Sequence, residues 1–154
     1  MIKVLLIFLI SSSAFAQVPW TEFAAEESTP AWIHYLFNDL NLKKEYKFSY
    51  HLNPFYLRGD FNGDGKLDIA ILVRNIRTNK IGIAICHYGE NKIIILGAGT
   101  KYNKSSDNFS WMDVWCVGEG NDKKEIIAIR RSEAGGGTLK WNGKKYIWTP
   151  YENE

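Results

Sequence analysis

The apolar positions of this chain change their spacing more than once. Val4 to Ile10 is a short unbroken apolar run. Further on, Ile33, Leu36, Phe37 and Leu40 recur at the interval of one helical face, with Trp32 and Tyr35 flanking them. Ser28-Thr29-Pro30 supplies a start signal, with Pro30 early in the first turn. The spacing predicts one amphipathic helix from about Pro30 to Leu42, after a loose lead-in over Gln17 to Thr29.

After Tyr46 the pattern becomes that of strands. Phe55-Tyr56-Leu57-Arg58 leads into an acidic segment, and Leu67 to Val73 leaves it as a nearly continuous apolar run. Such a run suits a strand covered on both faces. A polar turn over Asn75 to Lys80 follows, and then Ile81, Ile83 and Ile85 alternate with Gly82, Ala84 and Cys86. One face is bulky, and the other is small enough for a helix or another layer to approach closely. Gly89-Glu90-Asn91 turns the chain into a strand over Lys92 to Leu96, and Gly97 to Ser110 reads as a long loop. Trp111 to Val117 is a further strand, with Met112, Val114 and Cys116 expected on one side. After a turn over Gly118 to Lys123, Glu125 to Arg130 is the next strand, and Gly135-Gly136-Gly137 reads as a turn or bulge.

Asn142-Gly143 fits a type I′ hairpin turn, whose central residues need positive φ. A two-residue loop pairs Trp141 with Lys144 and Leu139 with Tyr146. Leu139, Trp141, Tyr146 and Trp148 then share a face, read as core in preference to a recognition patch. Short turns between successive strands imply an α+β fold: a mainly antiparallel sheet, built as a meander of hairpins, with one N-terminal helix packed on a face.

The opening residues bear on compartment. Lys3, the apolar run, and Ala14-Phe15-Ala16 have the order of a secretory signal peptide spanning 1–16. The run is far shorter than the roughly 20 residues a bilayer span needs. No cysteine stands directly after the expected cleavage site, so no lipid anchor is expected, and no later segment is apolar enough to span. The remainder, 17–154, reads as a single β-rich domain in the periplasm or outside the cell.

Without Lys3, the 19 basic residues fall to 18 against 17 acidic ones, so the charge is nearly balanced. That is no footprint for nucleic acid. The 14% aromatic content, with 6 Trp, can fill a core or form a binding surface. Cys86 and Cys116 could be a disulfide in an oxidising compartment or two buried thiols.

The most specific chemistry lies in Gly59-Asp60-Phe61-Asn62-Gly63-Asp64-Gly65-Lys66-Leu67-Asp68. Asp60, Asn62 and Asp64 place side-chain oxygens at alternate positions. Gly65 permits the bend, the Lys66 carbonyl can face inward, and Asp68 closes the ring. A hard cation needs this order of oxygen donors, and Ca²⁺ is the expected ion. An EF-hand would carry a bidentate Glu at its twelfth position, where this chain has Ile71. The expectation is therefore an EF-hand-like loop, 60–68, between two strands, with modest affinity.

Asp60 to Ala70 resembles the calcium loop of FG-GAP/VCBS repeats, which occur in integrin α-chain propellers and bacterial surface proteins. The resemblance spans about Tyr56 to Val73. It implies Ca²⁺ ligation by Asp60, Asn62, Asp64 and Asp68, with the Lys66 main-chain carbonyl. Trp141 to Trp148 also resembles the closing hairpin of small periplasmic proteins that carry one such loop.

Catalytic motifs are not evident. His34, His51 and His87 join no triad pattern. Gly97-Ala98-Gly99 and Gly135-Gly136-Gly137 lack the remaining residues of nucleotide or phosphate loops. The sequence reads best as an exported, non-enzymatic binding protein stabilised by Ca²⁺, of an inhibitor or immunity type, with another envelope or secreted protein as partner. The alternatives are a small envelope-acting hydrolase and a structural component of the cell envelope.

Overall fold

The apolar run after the acidic loop becomes a strand with both faces covered. In the computed structural model, which describes residues 20–104, 106–120 and 124–151, this strand is β3, Asp68–Asn75. The segment read as a signal peptide lies outside the described residues. Before β3 come α1 (Trp20–Ser28), α2 (Ala31–Asp39), a 3-10 turn (Leu42–Lys44), β1 (Tyr46–Phe48) and β2 (Tyr56–Gly59). After it come β4 (Ile81–Cys86), β5 (Ile93–Gly97), β6 (Val114–Glu119), β7 (Glu125–Arg131), β8 (Gly135–Trp141) and β9 (Tyr146–Pro150).

These strands form two sheets. The first has the order β1-β3-β4-β5, with β2 also paired to β3, and the second runs β6-β7-β8-β9. Every pairing is antiparallel. The fold is α+β and mainly antiparallel β. It consists of a helical layer, a sheet and a second sheet.

The alternation in β4 explains the layering. Ile81, Ile83 and Ile85 join Ala70 and Leu72 in a core shared with Trp115, Ile127, Ile129 and Leu139 of the second sheet. On the opposite face, Ala84 and Cys86 join Ile69, Ile71 and Val73 against Ile33, Leu36 and Phe37 of α2. Small residues on that face let the helix approach, as the side-chain sizes predict.

Several elements differ from expectation. The helix expected over Pro30 to Leu42 ends at Asp39, because Asn41 turns left-handed (φ 56) and the chain enters the 3-10 turn. Asn tolerates that conformation better than most residues. The lead-in holds a second helix, α1, in which Ala25 is buried while Phe23 is half exposed. Its end is fixed by Ser28 and Thr29, whose hydroxyls donate to the Ala25 carbonyl at 2.8 and 3.0 Å.

β6 begins at Val114 and not at Trp111, and its inner face is the one that carries Trp115. Trp115 is buried opposite Ile129, and Cys116 points outward. The bulkiest apolar side chain takes the inner face, and Met112 enters the core from the preceding loop. Gly135 to Gly137 belong to β8 and do not form a turn. A Cβ on Gly136 would collide with the Ile129 carbonyl, and one on Gly137 with the Thr149 carbonyl.

The final hairpin pairs Trp141 with Tyr146 and Leu139 with Trp148. Its loop is longer than the two residues expected. The Asn142 carboxamide oxygen accepts from both Lys144 N and Lys145 N at 2.9 Å, closing a wider turn. The change in register is two residues, so the same four side chains still share one face. That face is core: Leu139 and Tyr146 are buried, and Trp141 and Trp148 pack against the inter-sheet cluster. No helix among the described residues is long and apolar enough to cross a membrane.

Both cysteines are free. Burial pushes the Cys86 thiol up to about 12, with the Asp68 charge adding to the effect. The thiolate is the reactive form, so Cys86 should be inert while exposed Cys116 reacts. A colorimetric thiol titration should find one reactive group in the native protein and two after unfolding in urea. Rapid labelling of both in the native state would contradict this placement.

Candidate cation loop and the groove beside it

β2 and β3 pair in register from Tyr56↔Ile71 to Gly59↔Asp68, and the acidic loop closes this hairpin. Phe61, the bulky apolar residue within it, is buried in the inter-sheet core and pins the loop down. Around that anchor the main chain winds onto its own side chains. Asp60 Oδ1 accepts from Gly63 N at 2.7 Å and Asp64 N at 3.0 Å, and its Oδ2 accepts from Gly65 N at 2.9 Å. Asn62 Oδ1 accepts from Asp64 N, and Asp64 Oδ1 from Lys66 N, both at 2.9 Å. Gly63 and Gly65 adopt φ of 82° and 81°, which this winding requires and which other residues adopt at a cost.

Asp68 sits beneath the loop and is fully buried. Its Oδ2 accepts from Phe61 N at 3.1 Å and Asn62 N at 3.3 Å, and its Oδ1 from Tyr88 N at 2.9 Å. It therefore ties the loop's start to the end of β4. Burial raises its pKa, opposed by the Tyr88 and Asn62 N–H groups. Exposed Asp64 is shifted the other way, chiefly by the Lys66 N–H.

The predicted ligands thus divide. Asp60, Asn62 and Asp64 line the outer rim, and Asp68 serves from below. A carboxylate oxygen has about two lone pairs. Asp60 Oδ2 and Asn62 Oδ1 each accept one N–H, and Asp64 Oδ2 meets only the Lys66 ammonium, at 3.7 Å. Acceptor capacity therefore remains on the rim. Among the described residues, no three His, Cys, Asp or Glu side chains are grouped to hold a metal ion. The predicted donor set also includes an amide oxygen and a main-chain carbonyl, which are not side chains of those four types.

Glu125, at the start of β7, was not singled out by sequence reading. Its Oε2 accepts from Asp60 N at 2.6 Å, and its own N–H donates to the Asp60 carbonyl at 3.1 Å. Gly59 makes room for this clamp, since a Cβ there would lie 2.8 Å from the Glu125 carboxylate. The side chain of Lys124 lies across Gly63. The loop is therefore held by both sheets. The partners are far apart along the chain, and no local motif announces them.

His87 also proves more connected than a lone histidine at a strand end. It is buried, with Nε2 2.9 Å from the Tyr146 hydroxyl and Nδ1 3.4 Å from Glu90 Oε1, and Trp141 packs edge-on against it. Burial raises the Tyr146 pKa, aided by the charges of Asp68 and Glu90, so the phenol stays protonated. This polar contact joins the two sheets near the loop. The other histidines stand apart from it: His34 packs on Phe48, and His51 Nδ1 lies 2.9 Å from the Ser49 hydroxyl.

A groove of about 470 Å³ opens beside the loop, walled by Trp32, Arg58, Lys66, Leu67, Ile69 and Tyr88. A second hollow of about 250 Å³ shares Trp32 and Tyr88 and adds Tyr35, Asp39 and Glu90. Trp32 and Tyr88 meet edge to face, 5.6 Å between centroids. Leu67 and Tyr88 are each about half exposed, and Tyr35 is more so.

Compared with known proteins, the chain matches no family model, no curated sequence and no solved structure. The likeness to FG-GAP/VCBS calcium loops rests on the residues of the loop hairpin alone.

Proposed function

We propose that the chain is an exported, non-catalytic binding protein of the periplasm or cell exterior, stabilised by Ca²⁺. The β2–β3 loop would hold the ion through Asp60, Asn62, Asp64, the Lys66 carbonyl and Asp68. The partner is another envelope or secreted protein, of the kind met by an inhibitor or immunity protein. One observation carries the calcium reading: successive main-chain N–H groups from Gly63 to Lys66 donate to Asp60, Asn62 and Asp64. Those bonds hold the acidic side chains of the loop in a defined arrangement before any ion arrives, which lowers the ordering cost of binding. Bound Ca²⁺ would supply the positive charge that compensates the rim.

One observation favours an envelope-acting hydrolase, namely the contact of His87 with Tyr146 and Glu90. The His87 side chain is only 1% exposed, however, and is turned between the sheets. It suits a structural tie better than a proton donor reached by substrate.

A ligand that binds only the folded state raises stability by mass action, about 2.7 kcal/mol at a hundredfold excess over Kd. Saturating Ca²⁺ should therefore raise Tm by about 5–10 °C over chelator in the wild type. Asp64→Ala should show little or none of that rise. Identical melting of both proteins, with and without Ca²⁺, would contradict the proposal.

A further inference from the structure

The groove beside the loop is polarised. Its larger hollow is walled by two cations, Arg58 and Lys66, while the smaller one has two carboxylates, Asp39 and Glu90. Trp32 and Tyr88 form the wall common to both. Lys66 is partly matched by Asp64 at 3.7 Å, and Glu90 by Lys92 at 3.5 Å. Among the described residues, Arg58 and Asp39 pair with no opposite charge. Each hollow therefore presents one charge without a counterpart, on either side of an apolar, aromatic middle.

A guanidinium matches a carboxylate through two parallel N–H bonds, which makes Arg58 the more selective of the two cations. The apolar wall supplied by Leu67, Ile69, Trp32 and Tyr88 suits hydrocarbon or aromatic side chains. The volume falls within the range of small-molecule sites. An uncharged apolar ligand would leave the exposed Arg58 and Asp39 to water and gain nothing from them, and a purely anionic one would face Asp39 and Glu90. A zwitterion with an apolar body satisfies both hollows at once.

We infer that this groove binds a short peptide with free termini and apolar side chains. Its C-terminal carboxylate lies on the Arg58 guanidinium, its side chains pack against Trp32, Tyr88 and Leu67, and its ammonium faces Asp39. This ligand is additional to the protein partner and to the ion proposed above. Its failure would leave the calcium reading standing, and the reverse holds as well.

The test is calorimetric titration of the full chain with the tripeptide Leu-Phe-Leu, its C-terminal amide and its N-acetyl form. The free tripeptide should bind saturably at one site. Amidation should weaken it by about 2- to 5-fold, the loss expected for one solvent-exposed ion pair. Arg58→Gln should weaken the free peptide by a similar factor and leave the amide bound as it is by the wild type, since both changes remove one interaction. Asp39→Asn should be coupled to N-acetylation in the same way. Both side chains are exposed, so both variants should melt as the wild type does. Arg77→Gln, on the distant β3–β4 turn, should bind normally. Absence of saturable binding up to millimolar peptide, or equal binding of the free and amidated forms, would overturn the inference.

Discussion

Asp68→Ala is expected to destabilise the protein by about 3–5 kcal/mol, because it strands three N–H groups at once in and around a buried site. Phe61 N, Asn62 N and Tyr88 N would lose their acceptor together, and water could reach only part of the site. In a domain of this size the loss corresponds to a fall in Tm of about 10–20 °C. Asp68→Asn keeps one acceptor oxygen and should cost less. Without its tie to the end of β4, the loop of Asp68→Ala should also lose any calcium-dependent rise in Tm. Urea melts in the presence of chelator isolate the hydrogen-bond cost from the ion's contribution. A loss below about 1 kcal/mol in chelator would show that Asp68 does not hold the loop.

The second large effect concerns the join between the sheets. Trp115 is 1% exposed at the centre of the inter-sheet core, and its indole N–H donates to the Pro54 carbonyl at 2.8 Å. Trp115→Ala should cost about 3–5 kcal/mol, from lost apolar burial and the cavity left behind. Trp115→Phe fills most of that space but leaves the Pro54 carbonyl without its donor, and should cost about 1–3 kcal/mol. Pro54 lies just before β2, so the indole also secures the approach to the β2–β3 hairpin. The loop's own bonds are untouched by these substitutions. The calcium-dependent rise in Tm should therefore survive in Trp115→Phe, in contrast to Asp68→Ala. Equal loss of the rise in both would mean that the loop depends on the core more than on its own hydrogen bonds.

The parts of the fold that were legible in the sequence are those whose pattern is local. The unbroken run in β3 announces a strand buried on both faces, and the isoleucine alternation in β4 announces which face admits the helix. The spacing of Asp60, Asn62 and Asp64 likewise reads directly, because each side chain bonds N–H groups within a few residues of itself. The rest depends on contacts that no short window contains. Among the described side chains of α1, residues 23–28, only Ala25 is buried, and one small residue makes no stripe. The inward turn of Trp115 is decided by Ile127 and Ile129 across the sheet, not by its neighbours. The register of the last hairpin turns on the Asn142 side chain, which closes a wider loop than the backbone alone would favour. Glu125 reaches Asp60 across 65 residues, and His87 reaches Tyr146 across 59. These two ties fasten the loop region to the second sheet, and neither has a signature in the sequence.

The cation proposal is tested most directly by equilibrium dialysis against Ca²⁺ at millimolar free ion, followed by metal analysis of the protein compartment. One ion per chain is expected for the wild type, with a dissociation constant in the roughly 10⁻⁴–10⁻³ M range of extracellular modules. The Asp60→Ala/Asp64→Ala double variant should retain none. Wild-type protein that emerges free of calcium, or a double variant that retains the ion equally, would contradict the assignment of this loop.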